Sequence, residues 1–207
     1  MGSDQRIVEF ARVSYNSPSK GPEQDQKLLN FLYKNRHTSP FESVQITFDL
    51  KMPILVARQY IRHRTQSVNE ISARYTELPE EFYIPETWRK QDVKNKQGSV
   101  ESLELDHKAL SETLRFNCAQ QYELYQELIR KGVAREMARM VLPVNIYTQM
   151  YVSWNLKNLL HFINLRDDAH AQAEIQVYGK AIKAICTKLF PWTMEAYAKY
   201  KWELAES

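Results

Sequence analysis

Glycine is scarce in this sequence. The 207 residues include only five glycines, and neither GxGxxG nor GxxxxGK[ST] occurs. That excludes a Rossmann dinucleotide turn and a P-loop, so side chains must do most of the work of holding any phosphate. Cysteine is scarcer still. Cys118 and Cys186 stand alone on helical patterns with no CxxC spacing, which reads as buried free thiols rather than a disulfide or a nucleophile. The histidines at 37, 63, 107, 161 and 170 show no HExxH or paired ligand spacing, and arginines flank His63. No metal site is expected. Long apolar runs are missing too: none approaches the roughly 20 residues that cross a bilayer. The stretch from Met1 to Arg6 lacks an apolar signal core, so a cytoplasmic protein without membrane partners is expected.

What is present is ordinary for a globular chain, with 43% hydrophobic and 26% charged residues. A sequence pI near 8.7 is too mild to imply a nucleic-acid partner. Twelve tyrosines and four tryptophans are more informative, because aromatics at this density line interfaces or stack on rings.

Periodicity lays out the elements. Ile7 to Val13 reads as a short strand, and Gln24 to Lys34 as an amphipathic helix. Val44, Ile46, Phe48 and Leu50 alternate as a half-buried strand. Pro53 suits the first turn of a helix continuing to Arg64, followed by a loop over 65–72. Residues 73–76 and 81–85 read as short extended segments, and 86–100 as an exposed loop. A long helix carries Leu103, Leu110, Leu114, Cys118, Tyr122, Tyr125 and Ile129 and stops at Gly132. Ala134 to Leu142 is a second short helix, and the alternation from Val144 to Val152 a strand. Asn155 to Leu165 is helical, Asp167 is the expected N-cap of the next helix, and Trp192 to Trp202 closes the series. The expected fold is α+β: a single mixed α/β domain over 1–207 with a central, largely antiparallel sheet and long flanking helices.

Charge is concentrated in one place. Between Arg58 and Arg74 four arginines face one glutamate, a local +3 equal to that of the whole chain (28 − 25). Guanidinium forks fit phosphates and uracil-like carbonyls, so the cluster suits an anionic ligand; a solvated basic helix end is the plainer reading. Ser72 beside Arg74 suits a phosphate, and Glu70 can accept from a ribose hydroxyl or orient an arginine. Two further polar clusters stay open between ligand binding and local ion pairing. One is Arg135-Glu136 with Arg139; the other is Asn155, His161 and Asn164 to Asp168.

Arg62-His63-Arg64, seven residues and then Ser72 reproduce the signature of the flavin-dependent thymidylate synthases, which this chain resembles. Further blocks follow in the family's order: His37 to Glu42, Ala57-Arg58-Gln59, Arg74-Tyr75, Phe82 to Pro85, Arg135-Glu136, Ala138-Arg139, Val141 to Pro143, Asn164 to Arg166 and His170 to Gln172. The resemblance implies reductive methylation of dUMP to dTMP. FAD is then the cofactor, NADPH the reductant and methylenetetrahydrofolate the carbon donor, in a homotetramer with shared sites. It implies that Arg62, His63 and Arg64 hold the flavin with Ser39, Glu42, Glu70, Asn155, Lys157 and His161. It implies dUMP contacts from Gln59, Arg62, Glu70, Ser72, Ala73, Arg74, Arg139 and Arg166, with Arg166 catalytic through its charge on the uracil. Three positions depart from the family's frequent residues. Ser43 stands where a histidine is frequent, Ala73 where glycine is, and His161 where some members carry asparagine.

Overall fold

The protein is described here by a computed structural model covering residues 2–200. Its helices are α1 (Asp4–Arg12), α2 (Pro22–Lys34), α3 (Ser39–Glu42), α4 (Ile54–Tyr60), α5 (His107–Arg130), α6 (Arg135–Ala138), α7 (Leu156–Arg166), α8 (Ala173–Leu189) and α9 (Pro191–Lys199). The strands are β1 (Gln45–Pro53), β2 (Gln66–Glu70), β3 (Arg89–Gln91), β4 (Ser99–Glu101) and β5 (Tyr147–Asn155). β1, β5 and β2 form an antiparallel sheet in that order, flanked by helices. β3 and β4 make a separate antiparallel hairpin with Lys90 opposite Val100. The α+β expectation is met. The chain divides into two compact units, Met1–Phe48 with Thr65–Ser67 and Ser153–Ser207, and Asp49–Arg64 with Val68–Val152.

The first unit is mostly helical, with α2 packed on α9, α3 on α7, and α7 on α8. The expected strand at Ile7 is instead α1. Asp4, Val8 and Arg12 are buried at four-residue spacing with Ile7 beside them, a helical stripe that a strand would split between two faces. Ser3 begins it, accepting from the Arg6 N–H at 3.3 Å. Two buried carboxylates then fix the helices. Arg12 donates to Asp25 of α2 at 2.6 Å, and Asp4 accepts from the Trp192 N–H at 2.8 Å and the Thr193 hydroxyl at 2.6 Å. The second acts as an N-terminal cap for α9. Trp154 and Phe162, both buried, pack in the interior with ring centroids 5.5 Å apart and planes tilted by 43°. Asp167 does not cap the helix that follows it. It is the C-cap of α7, and α8 starts from Gln172. Of the expected closing segment, α9 covers Pro191–Lys199, and Trp202 lies outside the described residues.

The second unit carries the basic segment. The first turn of α4 has N–H groups that no helical carbonyl can reach. The Ile54 N–H donates to the Ile146 carbonyl at 3.0 Å and the Leu55 N–H to Val144 at 2.9 Å. α4 stops at Tyr60 rather than Arg64, and 66–70 is strand rather than loop. No glycine or proline marks that change; strand pairing outweighs the local helical pattern. α5 begins at His107, leaving Leu103 outside it and exposed, and ends where Gly132 takes φ +82°, the left-handed stop the sequence implied. α5 anchors the segment before the hairpin: Tyr122 donates to the Leu78 carbonyl at 2.9 Å, and Phe82 meets the Tyr122 ring edge-on. Residues 73–76 form a turn, and Phe82 makes a single bridge to Ile146. The expected helix over 134–142 splits into α6 and a 3-10 turn at Arg139–Val141.

Candidate active site

In the second unit, Ala73, Leu78 and Ile146 form a small apolar cluster against Ile54, Phe82 and Leu142. Most of that cluster is also the floor of a cavity of about 480 Å³, within the size range of ligand pockets. The polar wall comes from Arg58, Glu70, Ser72, Arg139 and Thr148. Four expected substrate residues, Glu70, Ser72, Ala73 and Arg139, therefore meet in one place. Gln59, Arg62, Arg74 and Arg166 are not part of the lining.

The backbone around Ser72 is tightly folded. The Ile71 N–H donates to the Gln149 carbonyl at 2.9 Å, and the Tyr75 and Thr76 N–H groups both donate to the Ser72 carbonyl. Ala73 is buried, and its φ is not positive, so the missing glycine costs no backbone strain here. Arg74 is turned to Glu136, its Nη2 3.1 Å from the carboxylate, with both side chains about half exposed. Such a pair is worth about 0–1 kcal/mol and yields readily to a phosphate. Glu136 thus pairs with Arg74 rather than within its own helix, while Arg135 lies 3.8 Å from Glu77.

Arg62, His63 and Arg64 sit in the turn after α4, where the Arg62 N–H donates to the Gln59 carbonyl and the His63 N–H to Tyr60. Among the described residues, the guanidiniums of Arg58, Arg62, Arg64 and Arg139 have no carboxylate partner. Exposed cations left without counter-charges are what an anionic ligand requires. No group of three or more metal-ligating side chains occurs among the described residues.

The first unit gathers the other expected residues on two packed helices. α3 carries Ser39 and Glu42, and the Thr38 hydroxyl reaches Glu42 at 3.5 Å. Ser43, at the departure from the family pattern, donates back to the Pro40 carbonyl at 2.7 Å and so finishes its own helix. α7 carries Lys157, His161 and Arg166, with Asn155 as N-cap accepting from the Asn158 N–H at 2.9 Å. Asn155 is therefore structural whatever else it binds. Partial burial, and then the Lys157 charge, push the His161 imidazole below its usual pKa, which makes it a neutral hydrogen-bonding group at pH 7. An ammonium, a neutral imidazole and an amide are donors that suit a flavin dinucleotide with its pyrophosphate.

Arg166 is half-buried, and burial lowers its pKa. Asp167 takes Lys183 at 2.5 Å and Asp168 takes His170 at 2.8 Å. Behind it, Gly179 lets α8 approach so closely that a Cβ there would come within 2.8 Å of the Arg166 carbonyl carbon. A second cavity of about 550 Å³ lies beside this region. The one cation in its lining, Lys183, is paired with Asp167, so it lacks the unpaired cations of the other cavity.

Two polar residues of the cavity wall, Arg58 and Thr148, carry no role in the sequence reading. Arg58 stood inside the basic segment without an assignment. Thr148 was one member of an apolar alternation, and its only signal was a hydroxyl at an inward position. Neither cysteine comes near this chemistry: Cys118 and Cys186 are buried, and burial pushes the Cys186 thiol up to about 12.

Comparison with known proteins agrees with this geometry. Residues 1–192 match the family described as Thymidylate synthase complementing protein. The chain is 47% identical over 205 residues to a flavin-dependent thymidylate synthase of Thermosipho africanus, covering 98% of this chain and 90% of that one. It is 50% identical over 200 residues to one of Thermus thermophilus, covering 97% and 73%. Among solved structures, the UMP/dUMP methylase PolB of Streptomyces cacaoi bound with 5-Br dUMP is similar, with TM-score 0.86 and 34% identity over 96% of this chain and 92% of that chain. The basic turn after α4, the Ser72 cavity and this agreement along nearly the whole length lead to one assignment: the chain belongs to the flavin-dependent thymidylate synthase family.

Proposed function

We propose that the protein methylates dUMP to dTMP with FAD as its redox cofactor, NADPH as reductant and methylenetetrahydrofolate as carbon donor. The observation that carries this reading is the cavity in which Ser72, Ala73, Arg139 and Glu70 converge over an apolar floor. Gln59, Arg62, Ser72, Arg74 and Arg139 supply donors for the nucleotide, and Arg74 exchanges Glu136 for phosphate on binding. Arg62, His63, Arg64, Ser39, Glu42, Glu70, Asn155, Lys157 and His161 hold the flavin. Bound FAD, once reduced, supplies the hydride delivered to the pyrimidine. Arg166 stabilises the negative charge that develops on the uracil, and desolvation strengthens that effect. The assembly is a cytoplasmic homotetramer whose sites draw on several subunits, forming one catalytic domain per chain. Exposed Tyr75, Met140 and Tyr151 are the kind of apolar surface such an assembly covers.

No cysteine acts as nucleophile in this mechanism. The double variant Cys118→Ala/Cys186→Ala, loaded with FAD, is expected to form dTMP within about threefold of the parent rate, since both thiols are buried and that of Cys186, held near 12, has almost no thiolate at pH 7. Loss of turnover in a folded, flavin-loaded double variant would contradict it.

A further inference from the structure

β5 alternates strictly: Thr148, Met150, Val152 and Trp154 face inward and are buried. Three of the four are large and apolar. Thr148 is the exception, and a buried hydroxyl is costly unless it is hydrogen-bonded. It donates to Oε1 of Glu70 at 2.6 Å, and both residues line the cavity. The arrangement is asymmetric. Thr148 is fixed by the strand and 4% exposed, whereas Glu70 ends β2 at the surface and would otherwise sample many rotamers. Among the described residues Oε2 of Glu70 has no partner, so it is the carboxylate's remaining acceptor.

We propose that Thr148 is a positioning residue for nucleotide binding: its hydroxyl holds one oxygen of Glu70 so that the other accepts from a sugar hydroxyl of the bound nucleotide. The inference rests on the reading of this cavity as the dUMP site. A hydroxyl in this role explains why an inward position that would pack better with valine keeps a polar atom. It also explains why Glu70 carries no cationic partner in a segment crowded with arginines. An ion pair would occupy the oxygen that the ligand needs.

The test uses FAD-loaded protein and four variants: Thr148→Val, Thr148→Ser, Glu70→Ala, and the Thr148→Val/Glu70→Ala pair. For each, the dUMP KM, kcat, FAD affinity and melting temperature are measured. Thr148→Val is expected to raise the dUMP KM about 5- to 20-fold, as befits loss of a hydrogen bond to a charged group. Thr148→Ser restores KM to within about threefold, and Thr148→Val adds nothing once Glu70 is alanine. A merely structural threonine would show neither the serine rescue nor that loss of effect. If Glu70→Ala weakens dUMP and Thr148→Val does not, the positioning role is overturned while the site assignment stands. If Glu70→Ala itself leaves dUMP affinity at the parental value, the reading of Glu70 is overturned with it.

Discussion

Arg166→Ala is expected to weaken dUMP binding by about 10- to 100-fold and to leave FAD affinity within about twofold of the parent. The first figure is the usual worth of charge-assisted hydrogen bonds, about 1.5–3 kcal/mol. Turnover is expected to fall further, by about 10² to 10³, because the guanidinium's main work comes when the ring carries extra negative charge. Two observations bear on the substitution. The guanidinium is half-buried, and burial lowers its pKa, so its field is less screened than that of a surface arginine. It also ends α7, where the helix dipole favours a cation, so some loss of stability accompanies the substitution. Arg166→Lys keeps the charge but loses the fork and is expected to recover only part of the loss. Steady-state kinetics with separate dUMP and FAD titrations checks this; unchanged dUMP affinity would refute the assigned role.

Arg12→Ala is expected to cost about 3–5 kcal/mol, because it strands a buried carboxylate. For a chain of this size that corresponds to a fall in Tm of roughly 6–20 °C. Arg12 and Asp25 side chains are 10% and 6% exposed, and the bond between them spans 2.6 Å. Burial alone would raise the Asp25 pKa. Hydrogen bonds from Ser19, Arg12 and the Lys20 N–H, with the Arg12 charge, outweigh it and hold the group below the usual carboxylate range. A depressed pKa stabilises the fold at pH values above the ordinary carboxylate pKa, and that contribution is lost as the pH falls through the lowered one. The gap between parent and variant should therefore be widest near neutrality and shrink on acidification. Melting curves over that range check it, and a gap that does not depend on pH would count against the ion pair as the cause.

Much of the candidate site was legible because its residues lie close together in the chain. Glu70, Ser72 and Ala73 belong to one segment, and a short run of donors and acceptors keeps its meaning whatever the backbone does. Arg139 joined them only through resemblance, since nothing local brings it to Ser72. The backbone was less legible. The sequence from Ile54 to Arg64 contains no stop signal after Tyr60, and the strand at Gln66 forms because β5 is there to pair with. The segment Ile7 to Val13 fits a strand as well as a helix, because Asp4, Val8 and Arg12 share a face in either; only the burial of Ile7 beside Val8 and the Ser3 cap decide for α1. Thr148 was hidden for a different reason. Its partner is 78 residues away, and a hydroxyl in an alternating strand carries no mark of what it will meet.

A non-catalytic nucleotide or single-stranded nucleic-acid binder would use the same arginines, but it would have no need of His63, Asn69 and Glu70 among them. The measurement that separates the two is anaerobic dTMP formation from dUMP, methylenetetrahydrofolate and NADPH, run with and without added FAD on protein first stripped of flavin. The account predicts a yellow FAD-loaded protein, dTMP formed only when FAD is present, and NADPH oxidised in proportion. A colourless protein that cannot be loaded with FAD, or dTMP formed equally without it, would contradict the account.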